Sequence, residues 1–484
     1  MNKPIRRVSI FCLVLILALM VRTNWVQGVQ ADSWASNKNN KRALYDRYAH
    51  PRGNIIASGQ PVTKSDFVDG LRFKYKRSWV DGPMWAPVTG YNSSFRAVGL
   101  EAVENDFLAG TDDRLFFRNT LDMLTGEPKK GGDVVTTVNA AVQKAAYDAM
   151  GNKKGAVVAL DPKTGAILAL VSTPSFDPGT ITGFDDSATK AWNDLNADPN
   201  QPLTNRALKG TYPPGSTFKL VTATAALENG LYQNIDDATQ TPDPYILPGT
   251  KTELKNESPN ERCENATLKS AMDQSCNTVY AKIGADLGKD KMRAQAEKFG
   301  FNSTVDVPVR SEKSIFPDSA SLDGTAQDSI GQHDTKATPL QMAMVSAAIA
   351  NNGSLMQPYL VDQERSASLT TITKHTEKQY SQAMSPATAQ KMQDMMVSVV
   401  ENGTGKNARI PGLQVGGKTG TAQHGEDNAG LPFAWFTSWA KNSDGQSVAV
   451  AVVVEDGSNN RDGISGGRLA APIAKAVMQA ALGK

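Results

Sequence analysis

The chain has 484 residues, with 51 Lys and Arg against 49 Asp and Glu, for a net charge of +2 with histidine neutral. Apolar residues make up 40 % and charged residues 21 %, ordinary globular usage that excludes a chain dominated by disorder. The length predicts two or three domains. The near balance of charge, with no basic block interleaved with aromatics, excludes a nucleic-acid partner. Three cysteines and four histidines leave few candidates for a histidine triad or a metal cluster, so neither a metal nor a cofactor is expected.

At the N-terminus Lys3, Arg6 and Arg7 precede the apolar run Val8–Val21, and Arg22 follows it. Positive charge ahead of an apolar stretch keeps the start in the cytoplasm and sends the rest outward. A spanning helix needs ~20 residues. The run reaches that length through Trp25 and Val26 if Arg22 snorkels to the interface. A cleaved signal peptide is the alternative, but the small-x-small cleavage pattern is weak. Residues 1–30 are therefore expected to be a retained single-pass anchor, with the bulk of the chain outside the cytoplasmic membrane. Ala31–Arg47 is polar and reads as a juxtamembrane stretch. His50-Pro51-Arg52-Gly53-Asn54-Ile55-Ile56 is a turn feeding a short strand. From Gly59 to Gly132 short strand-like runs alternate with Gly and Pro breaks, so 31–132 is expected to be a small irregular non-catalytic domain.

The pattern changes at Gly131-Gly132-Asp133, where a second domain, 133–484, is expected to begin. Val134–Val138 reads as a strand and Asn139–Met150 as a helix with apolar residues at helical spacing. Ala156–Leu160 and Ala166–Val171 flank Asp161-Pro162-Lys163-Thr164-Gly165, a hairpin with good turn chemistry. Ser216–Leu227 is apolar on nearly every side, as a buried helix is, and stops at Asn229-Gly230. Thr267–Gln274, Thr278–Gly288 and Thr338–Ala350 read as further helices, the last with Pro339 in its first turn. Ala434–Ala440 and Ser447–Val454 form a second hairpin, and Leu469–Leu482 is an amphipathic helix. Strands at both ends with helices between predict an α+β domain whose antiparallel sheet the C-terminus completes. Cys12 lies in the apolar run. Cys263 and Cys276 fit no zinc spacing, and the low cysteine count favours two unpaired thiols over a disulfide.

Three short patterns carry the chemistry: Ser216-Thr217-Phe218-Lys219, Ser275-Cys276-Asn277 and Lys418-Thr419-Gly420. None is specific alone. Ser187–Lys190 and Ser438–Lys441 also fit S-x-x-K, Lys163-Thr164-Gly165 also fits K-T-G, and Ser458-Asn459-Asn460 is a second S-x-N. Ser and Lys three apart on a helix share a face, so the amine reaches the hydroxyl. It acts as a base only if burial lowers its pKa. Ser187 opens a polar helix, and Ser438 lies in a strand, where Ser and Lys face opposite sides. Ser216 follows Tyr212-Pro213-Pro214-Gly215 and opens the most apolar helix in the chain, whose N-terminus favours negative charge. Lys418 follows Gly416-Gly417 in an extended run. It is expected to bind a substrate carboxylate and to depress the pKa of Lys219 by like-charge repulsion. Gly420 is expected to let a substrate backbone approach the strand edge. Ser275, at a helix junction, is expected to relay a proton, and Asn277 to offer its amide to a substrate peptide bond.

The ordered set S-x-x-K, S-x-N, K-T-G resembles that of penicillin-binding proteins and class A β-lactamases. Asp133–Lys484 resembles a penicillin-binding transpeptidase domain, through Gly155–Pro178, Ile330–Gly353 and Gly417–Gln423 as well. With the anchor and Pro51-Arg52-Gly53, the whole chain is similar to class B penicillin-binding proteins, most of all to the actinobacterial penicillin-binding protein A group. The resemblance implies acylation of Ser216 by a D-Ala-D-Ala stem peptide or by β-lactams, then transfer to an amine of a second strand. It implies an oxyanion hole from the backbone N–H groups of Ser216 and Thr421, with Thr419 and Thr421 beside Lys418 at the substrate carboxylate. Expected partners are peptidoglycan stem peptides, lipid-linked glycan strands and a membrane glycosyltransferase, since too few residues precede Asp133 to hold that domain. A D,D-carboxypeptidase or β-lactamase on the same scaffold, and a non-catalytic penicillin-binding sensor or divisome scaffold, stay open as alternatives. Two positions depart from the family pattern. His333 stands where a glycine is usual after Gly331-Gln332, and Asp-Arg-Asn-Gly is missing after Pro51-Arg52-Gly53.

Overall fold

The computed structural model describes residues 3–35, 48–69, 74–115, 130–183, 185–257, 261–318, 321–425, 428–455 and 461–484. Most of the juxtamembrane stretch, 36–47, and the motif Ser458-Asn459-Asn460 lie outside the described residues. The N-terminal run is one helix, Lys3–Gly28, of 26 residues with a mean hydropathy of 2.2 over its most apolar window and no buried residue. At 1.5 Å per residue it is about 39 Å long, more than the ~30 Å of a bilayer core.

The C-terminal part of the chain is built on a five-stranded sheet in the order Gln414–Ala422, Phe433–Lys441, Ser447–Val454, Gly155–Leu160, Ile167–Thr173. Every neighbouring pair is antiparallel. Both expected hairpins are present, and the C-terminal one supplies the strands between Gln414–Ala422 and Gly155–Leu160. The central strand Ser447–Val454 is a continuous apolar run because both of its faces are covered. Val448, Val450, Val452 and Val454 join a core with helices Ala140–Met150 and Ala471–Ala481. Ala449, Ala451 and Val453 join another with helix Pro339–Ala350. Alternate residues of one strand thus serve two separate cores, each buried valine contributing about 1.5–3 kcal/mol. The helices start on side-chain caps. Asn139, Thr267, Thr338 and Ser385 accept backbone N–H groups of their first turns, worth about 1 kcal/mol each.

Helix Lys219–Glu228 is buried along Lys219–Leu227, as its all-round apolarity predicts. The helix expected at Thr278–Gly288 starts at Asn277 and is interrupted at Gly288 (φ +75°, ψ 166°), after which a second helical stretch carries on to Lys298. Glycine, with no Cβ, takes this positive φ without steric cost.

Asp133–Thr136 belongs to a second five-stranded sheet, in the order Thr371–Lys374, Val361–Arg365, Asp133–Thr136, Ile55–Ala57, Gln60–Pro61. It pairs parallel with Ile55–Ala57 and antiparallel with Val361–Arg365. Beside it the fully buried Glu101 carboxylate takes Arg52 Nε at 2.8 Å and Arg77 Nε at 2.7 Å. Arg77 also donates to Gly53 O at 2.7 Å. A side chain at Gly53 would meet Gly132 O at 1.9 Å, so glycine is required there.

Candidate active site

Ser216 sits in a single 3-10 turn, Gly215–Phe218, that feeds helix Lys219–Glu228. Pro213 and Pro214 keep the preceding segment out of the helix, and Gly215 makes the left-handed step at φ +52°. The segment is clamped on two sides. Gly215 N–H donates to Gly331 O at 2.9 Å, and Trp435 Nε1 donates to Pro213 O at 3.0 Å. Ser216 therefore lies where a helix has free N–H groups and a positive dipole end. Its residue is only 6 % exposed.

Lys219 and Lys418 are both fully buried. Lys219 Nζ donates to Ser275 O at 2.6 Å and to Asn277 Oδ1 at 2.7 Å, with Ser275 Oγ at 3.3 Å. Lys418 Nζ donates to Ser275 Oγ at 2.8 Å and Thr419 O at 3.1 Å. Burial first, and then the charge of Lys418, hold the Lys219 pKa well below the ordinary lysine value; Glu257 and Glu261 oppose this. Burial lowers Lys418 to about 8, against the pull of Glu257, Glu261 and Asp273. The expected repulsion between the two amines is thus present, second to desolvation.

The direct contact expected between the Lys219 amine and the Ser216 hydroxyl is absent, because none of the Lys219 bonds reaches Ser216 Oγ. Carbonyl and amide oxygens compete for the same N–H groups. A neutral amine has two N–H bonds and one lone pair, and its two shortest contacts go to pure acceptors. The lone pair is then left for a hydroxyl.

Ser275 ends helix Leu268–Gln274 in the left-handed region, at φ 65°, ψ 37°, a conformation that costs a non-glycine residue about 1–2 kcal/mol. The residue beside it is tied down. Cys276 forms a disulfide with Cys263, and both are buried. The expectation of two unpaired thiols is therefore wrong. Cysteine count is a statistical guide, whereas the fold brings the two Cα atoms to 5.7 Å, well within bridging range. Asn256 Oδ1 accepts the N–H of Asn277 at 2.7 Å and of Thr278 at 3.2 Å. Among the described residues Asn277 Nδ2 has only a long contact, 3.4 Å, to Lys255 O.

Gln414–Ala422 is an edge strand, with Lys418, Thr419, Gly420 and Thr421 along it. The reason for glycine at 420 differs from the expected one. A Cβ there would lie 3.0 Å from Pro214 O and Thr217 Cγ2 and 3.1 Å from Trp435 Cβ. The space is filled by the segment carrying Ser216, so Gly420 brings the nucleophile turn against the strand rather than admitting a substrate. Thr419 Oγ1 bonds Thr404 Oγ1 at 2.7 Å.

Two cavities meet at Ser216 and Thr421. The larger, about 580 Å³, extends past Asn277, Gln332, His333 and Gln423. The smaller, about 260 Å³, extends past Ser275, Thr404, Thr419, Ser465 and Arg468. Sequence reading missed Asn256, Glu257, Thr404 and Arg468. They come from loops and turns remote in sequence, and no motif marks them. The competing matches are elsewhere. Ser187 Oγ donates to Asp185 and Lys190 pairs with Asp194 on an outer helix. Ser438 is buried in its strand, and Lys163 donates to Gly445 O at a hairpin tip.

Comparison with known proteins agrees with this geometry. Residues 155–479 match the penicillin binding protein transpeptidase domain, and residues 52–134 match the penicillin binding protein A dimerisation domain. The chain is 41 % identical over 495 residues to the peptidoglycan D,D-transpeptidase PbpA of Mycolicibacterium smegmatis, covering 100 % of this chain and 99 % of the relative. It is 40 % identical over 496 residues to PbpA of Mycobacterium tuberculosis, with the same coverage. The ceftriaxone acyl-enzyme complex of penicillin-binding protein A from M. tuberculosis superposes with a TM-score of 0.85 at 40 % identity, over 91 % of this chain and 100 % of that one. Its penicillin G acyl-enzyme complex does so with 0.83 at 40 % identity, over 90 % and 100 %. With its lysine-flanked serine at a helix start and these matches along its length, this chain belongs to the penicillin-binding protein transpeptidase family.

Proposed function

We propose that the protein is a peptidoglycan D,D-transpeptidase acting through a Ser216 acyl-enzyme. The observation that carries this is the Lys219–Ser275–Lys418 cluster. Two buried amines share one hydroxyl, and burial together with the second charge keeps the first amine neutral. Lys219 takes the Ser216 proton, and Oγ attacks the carbonyl of the penultimate D-Ala. The backbone N–H groups of Ser216 and Thr421 hold the oxyanion, and loss of one such donor typically costs ~10²–10³ in rate. Ser275 passes a proton to the departing D-Ala amine. Asn277 holds Lys219 and presents its amide NH₂ to the substrate peptide. Thr419 and Thr421 bind the carboxylate, with the buried Lys418 charge behind them. An acceptor amine then resolves the ester. β-Lactams acylate Ser216 in the same way, a reading supported by the acyl-enzyme complexes of the M. tuberculosis relative.

The proposed layout has a single-pass anchor at 1–30, a non-catalytic domain at 31–132 and the transpeptidase domain at 133–484. The catalytic domain faces the extracytoplasmic side, where it meets stem peptides and lipid-linked strands made by a membrane glycosyltransferase. Fluorescent penicillin labelling of wild type against Ser216→Ala, followed by a cross-linking assay on the purified protein, tests the reading. Label retained by Ser216→Ala would overturn it. Rapid turnover of the adduct would instead point to a β-lactamase.

A further inference from the structure

The smaller cavity has a charge arrangement that acylation uses only through its influence on the two buried lysines. Glu257 and Arg468 both line it, together with Ser216, Ser275 and Thr419. Both residues are exposed. Among the described residues neither the Glu257 carboxylate nor the Arg468 guanidinium has a hydrogen-bond or ion-pair partner, and the two do not pair with each other. Glu257 also lines the larger cavity, so it stands where the two meet, at the nucleophile. Glu261 lines the cavity as well, and the charges of both glutamates are felt by the buried Lys219 and Lys418. An anionic side and a cationic side facing one small cavity match a ligand that carries both signs.

The reaction supplies such a ligand twice. The first product of acylation is a free α-amino acid, with amine and carboxylate on one carbon. By microscopic reversibility, the incoming amine attacks from the side on which the leaving amine departed. The acceptor nitrogen therefore enters the cavity the leaving group vacated.

We propose that Glu257 is the acceptor-binding residue of this cavity. It docks the ammonium group of an incoming amine, while Arg468 and Thr419 hold a carboxylate on the same carbon. The favoured acceptor is thus an α-amino-acid centre rather than a simple primary amine at the end of an alkyl chain. This rests on the Ser216 acyl-enzyme proposed above. The docked R–NH₃⁺ releases one proton to solvent. Its lone pair forms the C–N bond to the acyl carbon, and the C–Oγ bond to Ser216 breaks. The second amine proton returns to Ser216 Oγ by way of Lys219. The net change converts ester and ammonium into amide, serine hydroxyl and one proton. Glu257 sets affinity and position, and Lys219 handles the proton in both half-reactions.

The test is partitioning of the acyl-enzyme. The full-length protein in detergent is acylated with a thioester donor ending in D-Ala, and aminolysis is measured against hydrolysis with D-alanine or ethylamine as acceptor. The ratio is internal to the acyl-enzyme, so it does not depend on how fast that species forms. Wild type is expected to use D-alanine over ethylamine. Glu257→Gln lowers the D-alanine aminolysis-to-hydrolysis ratio by about fivefold, the upper end for an exposed charge pair, through a raised acceptor KM. Glu257→Asp restores part of it, which a purely structural role would not. Arg468→Gln lowers the ratio for D-alanine and leaves that for ethylamine unchanged. An unchanged ratio in Glu257→Gln overturns the assignment, and equal use of ethylamine by wild type overturns the α-amino-acid preference. If wild type is not acylated at all, by the donor or by penicillin, it is the Ser216 mechanism that has failed.

Discussion

Replacing Lys418 by methionine keeps a long buried side chain and removes its charge. Lys219 and Lys418 both bond Ser275 Oγ, at 3.3 and 2.8 Å, which puts their nitrogens within about 6 Å of each other; at an effective dielectric near 20 two unit charges at that distance repel by roughly 2.8 kcal/mol. Losing that repulsion is worth about a hundredfold in the protonation equilibrium of Lys219. The base must be neutral, so Lys418→Met lowers its active fraction near neutral pH and moves the acid limb of the acylation profile to higher pH. The alkaline limb of the wild type, where Lys418 loses its charge at about 8, disappears. The assay is the second-order rate of acylation by a chromogenic β-lactam as a function of pH. A Lys418→Met profile with both limbs at the wild-type positions would refute the coupling. Stability moves the opposite way. Folded Lys418 releases its proton at about 8 and the unfolded residue at its ordinary 10.5, so the unfolded chain binds more protons between those values. Wild-type stability therefore rises with pH across that window. Lys418→Met is more stable than wild type at neutral pH by on the order of 1 kcal/mol, after the loss of its hydrogen bonds is counted.

Other perturbations give equally plain outcomes. Cys263→Ser combined with Cys276→Ser opens a loop with a sequence separation of 13. It should cost about 3 kcal/mol in chemical denaturation and slow penicillin acylation, since Cys276 adjoins Ser275. Glu101→Gln leaves Arg52 and Arg77 facing an uncharged amide in a buried site. Thermal unfolding should show a loss of about 3–5 kcal/mol, and an unchanged melting temperature would show that the triad is dispensable. Gly331→Ala forces a Cβ to 2.2 Å from Gly215 O at a backbone φ of +74°. Acylation should fall by an order of magnitude or more while far-UV circular dichroism stays native, because the clamp behind Ser216 shifts.

Much of this was legible from residues alone. Period and burial agree wherever one face or all faces of an element are covered, as in Ser447–Val454 and Lys219–Glu228. The choice of Ser216 over Ser187 and Ser438 needed only two rules: a lysine base must be buried, and it must share a face with its serine. The rest depends on distance in space. The bond of Cys263 to Cys276 and the placement of Asn256 behind Asn277 are set by how helix Leu268–Gln274 ends. The motif Lys-Thr-Gly specifies a glycine without saying which neighbour requires it, and that neighbour is the chain's own Pro214-to-Thr217 turn. The contact of Lys219 with Ser275 and Asn277 follows from competition among acceptors, which no spacing rule encodes.

Asp133–Thr136 hydrogen-bonds on one side to Ile55–Ala57 and on the other to Val361–Arg365. The N-terminal and catalytic halves are therefore stitched through a common ladder rather than strung on a tether. A truncation beginning at Asp133 would bare the backbone of that strand along a whole side, and unpaired strand edges recruit other chains. Protein for crystallography or inhibitor screening is best made by removing the N-terminal apolar helix Lys3–Gly28 while keeping everything from Tyr48 onward, so that Ile55–Ala57 stays paired.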